Sequence, residues 1–366
     1  MADGGRIADL LEAHVSLGDF PGASYLVAEG SRVLAEGAVG HAVLVPRAIR
    51  ASPRTLYDLA SLTKPLATAL LAARLRSEGR LRFDDAVASH LPGWGARGFE
   101  DRAEITLLDL LTHRSGLPAW KPLYLHASDG PGYLARLNEI PLVRPPRHGV
   151  EYSDLGYIVL GFVLQEVAGG PLDRLFARQA SAPLGLRDLL YRPPASLRPR
   201  IAATETGNAR ERDLAAPEGR GYNGWRREVI WGQVHDLNAH TLGGVAGHSG
   251  LFGTARDVFA LAGEFLSGRG RVVPDDQREM FRANLTAGCA QDRSIGFQLA
   301  TTPGCSAGPA LSRRSFGHVG FTGTSLWIDP ESRRVYVLLT NRVHPRFRPI
   351  DMNAIRRDFH RTAAEL

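Results

Sequence analysis

Strand-like hairpins stand at the two ends of this chain, and most of what reads as helix lies between them. Ala23–Glu29 (ASYLVAE) and Arg32–Val39 (RVLAEGAV) flank the turn Gly30–Ser31. Near the other end, Ser325–Asp329 (SLWID) and Arg334–Thr340 (RVYVLLT) flank a Pro-Glu-Ser turn, and the second run is β-branched and aliphatic, as a buried strand requires. Hairpins so far apart share one sheet only if the residues between them form an inserted unit. The pattern therefore predicts an α/β (α+β) fold, an antiparallel sheet flanked by helices. Residues 1–57 and 255–366 are expected to build the sheet domain, and 58–254 a mostly helical insertion carrying active-site loops. A chain of 366 residues is long enough to bury such a core.

The middle supports this division. Leu62–Glu78 is apolar at helical spacing and stops at Gly79. Leu107–Leu111 and Leu155–Ala168 are further helices, the second ended by Gly169–Gly170. A last amphipathic helix, about Asp351 to Ala364, puts Ile355, Phe359 and Ala363 on one face. Arg187–Arg227 is rich in Arg, Pro and Gly and reads as long surface loops around a cleft.

Composition excludes several classes. Hydrophobic residues at 44% and charged residues at 22% argue for a globular chain, not disorder or coiled coil. The net charge is +6, but no block of like charges appears, so a nucleic-acid partner is not expected. Only Lys64 and Lys121 of the 44 basic residues are lysine, which fits codon bias. Cys289 and Cys305 show neither a disulfide framework nor metal spacing. Met1–Leu11 has no basic leader region, and no apolar run of about 18 residues occurs, so a cytoplasmic protein without a membrane segment is expected. No P-loop or dinucleotide fingerprint appears, so no cofactor is expected.

The first candidate for chemistry is Asp58-Leu59-Ala60-Ser61-Leu62-Thr63-Lys64, which leads into the first central helix. Ser61 and Lys64 are three apart, so one helical turn stacks them on the same face. A serine at a helix start sits among unpaired backbone N–H groups at the positive end of the dipole, which favours an oxyanion. A lysine one turn on can handle the hydroxyl proton. Two further stretches add weight. Glu151-Tyr152-Ser153-Asp154-Leu155-Gly156 offers a phenol just before a helix, with Ser153 as structural filler. Gly317-His318-Val319-Gly320-Phe321-Thr322-Gly323-Thr324 brings an imidazole and open backbone N–H groups to a sheet edge. Competing readings are a nucleophile at Ser249 beside His248, and a metal site from His235, Asp236, His240 and His248. The serine lacks the Gly-x-Ser-x-Gly elbow, and the histidine spacing is not His-Glu-x-x-His. No metal is expected.

The three stretches in order, SLTK, YSD and HVG, resemble the Ser-x-x-Lys, Tyr-x-Asn and Lys/His-Thr-Gly signature of the serine β-lactamase and penicillin-binding-protein superfamily. The spacings are similar to the class C branch, which includes D-alanyl-D-alanine carboxypeptidases and family VIII esterases. Ile105–Leu117 (ITLLDLLTHRSGL), Pro183–Leu186 (PLGL) and Gly243–Phe252 (GGVAGHSGLF) resemble further segments of that branch, so the likeness runs from about residue 20 to 345.

The resemblance implies a serine hydrolase that forms an acyl-enzyme on amide or ester bonds, β-lactamase-like or D-alanyl-D-alanine carboxypeptidase-like. Its substrate would be a small molecule or peptide, such as a cell-wall fragment. A family VIII-type carboxylesterase and a non-catalytic penicillin-binding or sensor module are the alternatives. Ser61 would be the nucleophile, with Lys64 and Tyr152 sharing the proton work. Asp154, His318, Gly320 and Phe321 would be the substrate-binding and oxyanion positions, the N–H groups of Ser61 and Phe321 forming the oxyanion hole. Two departures matter. Asp154 replaces asparagine and, if ionised, raises the Lys64 pKa, which makes Tyr152 the base. His318 replaces lysine, so carboxylate binding should weaken as pH rises through about 6.5, or the substrate carries no carboxylate there. The class A deacylating motif Glu-x-x-Leu-Asn is absent, Leu134 standing at the acid position of the nearest text.

Overall fold

A computed structural model describes residues 4–96, 98–266 and 270–366. Met1–Asp3, the first part of the stretch read as leaderless, therefore lie outside the described residues. The two terminal hairpins do pair. Strand β1 (Gly22–Glu29) lies between β2 (Arg32–Val43) and β10 (Arg334–Thr340), with Leu26 opposite Val337 on one side and Glu36 on the other. Adding β3 (Ile49–Arg50), β7 (Gln298–Leu299), β8 (Phe316–Val319) and β9 (Ser325–Asp329) gives a seven-stranded sheet in the order β3-β2-β1-β10-β9-β8-β7, with antiparallel neighbours.

Strand alternation sends side chains to two buried layers. Leu26, Ala28, Val335, Val337, Leu339, Leu326 and Ile328 join the large core under the central helices. Tyr25, Val27, Trp327, Tyr336 and Leu338 face the other way, against the terminal helices Gly4–Leu17 and Met352–Ala364. The C-terminal helix starts one residue later than expected because Asp351 is its cap, accepting from the Ala354 N–H at 2.9 Å. The N-terminal helix was not anticipated, although Ile7, Leu11 and Val15 recur at four-residue spacing and pack in that layer. The Ala255–Leu266 helix, with Val258, Leu261, Ala262 and Phe265 buried, also went unread. One core cluster runs through residues of both the sheet region and the insertion.

A second, three-stranded sheet positions the site. β4 (Tyr57–Asp58), β6 (Leu251–Gly253) and β5 (Leu190–Tyr191) pair in the order β4-β6-β5. β4 ends three residues before Ser61, and β6 begins three residues after His248, so this pairing draws the two segments together. The reading of 187–227 as surface loop needs correction. It contains β5 and the helix Ala209–Ala215, and Ile201, Ala202 and Ala203 are buried. Its arginines misled the reading by being amphipathic: Arg198 lays its guanidinium over Trp231, 4.6 Å from the ring centroid. Among the described residues no single helix is long and apolar enough to cross a membrane.

Candidate active site

Ser61 sits in a tight helical turn, Ala60–Leu62, directly after a strained residue. Ala60 has φ of +48°, uncommon for a residue with a Cβ. Asp58 fixes this corner: its Oδ1 accepts from the Ala60 N–H at 2.9 Å and its Oδ2 from the His235 N–H at 2.7 Å. Lys64 follows in a wider helical turn, Lys64–Ala69, which passes into an α-helix at Leu70. The expected single helix is thus wound differently at its start.

Lys64 is fully buried, yet polar groups surround its amine. Its Nζ donates to Ser61 Oγ at 2.9 Å and to the His248 carbonyl at 3.1 Å, and pairs with Asp154 Oδ1 at 2.7 Å. It also lies 5.1 Å from the Tyr152 ring centroid. Burial pushes the lysine pKa down, but the Asp154 carboxylate and the Tyr152 hydroxyl push it up by more. The net shift is upward, as the Asp154 substitution leads one to expect.

The backbone on both sides of Tyr152 is held by His113, a residue of the LTHRSG stretch. His113 takes φ of +59°. Its carbonyl accepts from the Glu151 N–H at 2.8 Å, and its Nδ1 accepts from the Ser153 N–H at 2.9 Å. Ser153 caps the Asp154–Ala168 helix, bonding the Gly156 N–H at 3.1 Å and donating to the Pro118 carbonyl at 2.7 Å. Its hydroxyl is therefore occupied structurally.

The β8–β9 turn closes the other side. Thr322 Oγ1 donates to the Asp58 carbonyl at 2.8 Å and Thr324 Oγ1 to the Leu59 carbonyl at 3.0 Å, tying the turn to the backbone just before Ser61. Gly320 shapes this turn. Its N–H is used by the Thr324 carbonyl at 2.8 Å, so it is no oxyanion donor. A Cβ there would lie 2.1 Å from Thr324 Oγ1 and 2.7 Å from the Leu59 carbonyl, so glycine permits the close approach. The Ser61 N–H lies in a first helical turn, which supplies it no acceptor, and Phe321 follows Gly320 at the cleft wall, 39% exposed.

His318 is buried in the wall of the same cleft. Burial, Lys64 and Arg293 hold its pKa well below 6.5, so it is neutral and cannot serve as a titrating cation near that value. The cleft's cations are arginines that sequence reasoning missed. Arg293, Arg342 and Arg356 line a cavity of about 560 Å³ with Ser61, Tyr152 and His318. Arg293 is 5% exposed, with its guanidinium 5.2 Å from the Tyr152 ring centroid. It holds Gln291 Oε1 through Nε and Nη2, at 3.0 and 2.8 Å, while Nη1 is buried without a hydrogen-bond partner. No motif flags it, since it lies in an irregular loop.

The histidines of the competing metal reading are separately engaged. His248 pairs with Asp236 at 2.8 Å, His235 with Glu205 at 3.0 Å, and His240 lines a different cavity. Among the described residues no three ligating side chains cluster to hold a metal ion. Ser249 is 4% exposed.

Buried neutral histidines make stability depend on acidity. His113 is held well below 6.5 by burial, Arg293 and Lys64, and burial takes His360 to about 4. In the unfolded chain these groups bind protons near pH 6.5; in the folded chain they do not. Stability is thus complete above 6.5 and is lost as pH falls toward the folded values, by up to about 1.4 kcal/mol per pH unit for each histidine. Urea midpoints at pH 7.5, 6 and 5 are expected to fall in that order. A midpoint flat from 6.5 to 5 contradicts this.

This arrangement can deliver a serine hydroxyl, a paired lysine and a phenol to one carbonyl. A family model described as Beta-lactamase matches residues 7–360. The chain belongs to the beta-lactamase family. A protein of Escherichia coli (strain K12) named "Putative D-alanyl-D-alanine carboxypeptidase" is 32% identical over 354 residues, covering 89% of this chain and 79% of that one. The solved structure of EstCE1, titled a hydrolase with promiscuous acyltransferase activity, superposes with a TM-score of 0.75 at 22% identity, covering 98% of both chains. A class C beta-lactamase from Rhodobacter sphaeroides superposes with a TM-score of 0.71 at 20% identity, covering 97% of both. The structures share the fold, antiparallel sheet and flanking helices. Family and relatives together make this beta-lactamase-family chain a serine hydrolase.

Proposed function

We propose that this serine hydrolase cleaves a small peptide or amide of the D-alanyl-D-alanine type, with Ser61 as nucleophile. The observation that carries the assignment is the 2.9 Å bond from buried Lys64 Nζ to Ser61 Oγ. Ser61 Oγ attacks the carbonyl, its proton leaves through Tyr152, and the N–H groups of Ser61 and Phe321 receive the oxyanion. The leaving amine takes the proton back, and water then cleaves the acyl-enzyme by the same path in reverse. A substrate carboxylate meets arginine here, so its recognition stays constant between pH 6 and 8 instead of following His318.

A second reading is ester hydrolysis, favoured by the neutral imidazole of His318 where the family motif often carries lysine. One experiment separates the two. Intact-protein mass is measured after exposure to a fluorescent penicillin and, separately, a p-nitrophenyl ester, with Ser61→Ala as control. A penicillin adduct on Ser61 supports the peptidase reading. Rapid ester turnover with no adduct supports the esterase. No Ser61-dependent signal with either probe defeats both.

A further inference from the structure

The turn after the helix Leu107–Leu111 carries a strain that helix termination does not require. His113 stands just past the helix end with φ of +59°, where glycine is the usual residue because a Cβ is disfavoured there. A side chain persists in that region only when its surroundings fix it, and here those surroundings include Tyr152. The His113 carbonyl accepts from the Glu151 N–H at 2.8 Å and its Nδ1 from the Ser153 N–H at 2.9 Å, so one residue ties down the peptides on both sides of the phenol. The ring also packs against two phenols, 4.6 Å from the Tyr152 ring centroid and 5.0 Å from that of Tyr157. Tyr157 is itself anchored, its hydroxyl donating to the Leu111 carbonyl at 2.9 Å. His113 stands behind the wall of the cleft, at 1% exposure.

This contact demands one protonation state. A backbone N–H can only donate, so Nδ1 must offer its lone pair and the ring proton sits on Nε2. Nε2 is buried without a hydrogen-bond partner, so the one bonded ring nitrogen is the one that holds the Tyr152 segment. A proton arriving at Nδ1 faces the Ser153 N–H, two donors with no acceptor between them, and the bond breaks. Burial opposes that proton first, then the charges of Arg293, Lys64 and His318. The nearby acids do little to invite it, since Asp154 is paired with Lys64 and Glu151 with Arg144. Tyr152 and Tyr157 are the other titratable groups packed on the ring.

We infer that His113 is a positioning residue for the reaction: its Nδ1 lone pair and its carbonyl hold the Tyr152 phenol at Ser61, and a proton taken up at Nδ1 releases the phenol and stops acylation. The enzyme thus has an acid-side switch outside the groups that do the chemistry. This rests on the reading that Tyr152 carries the Ser61 proton.

The test is the acylation rate constant with p-nitrophenyl acetate, read by pH-jump stopped flow from pH 8 to 4.5 on the full chain, as wild type, His113→Asn and His113→Leu. Asparagine tolerates positive φ and offers an amide oxygen near the Nδ1 position, but it does not titrate. Leucine fills the space and offers no acceptor. At pH 7.5 His113→Leu should acylate about 10²-fold more slowly, the scale of a misplaced reacting group, and His113→Asn should stay within about threefold of wild type. Below pH 6.5 the wild-type rate should fall along an acid limb that His113→Asn lacks. The rate constant per burst-active site is read, so a variant that folds only in part does not mimic the effect. If His113→Leu does not fold, the wild-type and His113→Asn profiles decide. A wild-type rate constant in His113→Leu overturns the inference, as does a His113→Asn variant as slow as His113→Leu. A wild-type rate flat to pH 4.5, or an acid limb that His113→Asn shares, overturns it as well. Near-normal acylation by Tyr152→Phe overturns the underlying reading instead.

Discussion

Tyr152→Phe is expected to lower the acylation rate by about 10²–10⁴-fold, the usual worth of a positioned proton-transfer group. The reason lies in how Lys64 is used. An ammonium has three protons, and Ser61 Oγ, the His248 carbonyl and Asp154 Oδ1 meet the amine at 2.9, 3.1 and 2.7 Å. Deprotonating it would leave the Asp154 carboxylate beside a neutral amine in a buried site, which is why the lysine pKa is raised despite complete burial. Lys64 therefore keeps its charge, and Tyr152 has to take the serine proton. The phenolate form of Tyr152, the form able to accept that proton, lies between two cations, Lys64 and Arg293, 5.1 and 5.2 Å from the ring centroid. The Asp154→Asn background provides the cross-check. Without the carboxylate, Lys64 loses its proton more readily and can share the work, so Tyr152→Phe should cost less there. Stopped-flow acylation by a p-nitrophenyl ester across the four proteins measures the coupling. A single Tyr152→Phe variant that acylates at a near-normal rate removes Tyr152 from the proton path.

The parts of this molecule that were legible in the sequence are those where one local signal suffices. Hairpins showed themselves by alternation, and the Ser61–Lys64 pair by helical spacing. Asp154 revealed its effect on Lys64 because a charge replaced a neutral amide at a recognisable position. What stayed hidden depends on distant residues meeting. His113 lies 39 positions before Tyr152, and only the fold shows that its ring nitrogen accepts from the next residue's N–H. Arg293 sits in an irregular loop, and nothing in its neighbours predicts a guanidinium over the Tyr152 ring. The choice between the two His318 alternatives was closed to the sequence for the same reason. The substitution was visible, but the burial and the two flanking cations that keep the ring neutral were not. At Gly320 the missing Cβ is what the Leu59 carbonyl requires, and only the folded chain brings that carbonyl near.

Lys64→Met should damage both activity and stability, and the two losses can be separated. Removing the ammonium takes away the donor on Ser61 Oγ and the permanent positive charge beside the reacting groups. Acylation is expected to fall by about 10³-fold or more, the scale of losing a preorganised electrostatic partner. Stability falls because Asp154 is left without its cation and the His248 carbonyl without its donor. Breaking a fully buried pair costs about 3–5 kcal/mol; Asp154 keeps 21% of its side chain exposed, so about 2–3 kcal/mol is expected. Adding Asp154→Asn to Lys64→Met removes the stranded carboxylate, so most of the lost stability should return. Acylation should not return, because no cation is restored. Urea midpoints and ester burst rates on wild type, Lys64→Met and the double variant read these two outcomes independently. Recovery of both together would mean that Lys64 merely neutralises Asp154, and the proton path would then have to run from Ser61 to Tyr152 without an adjacent ammonium.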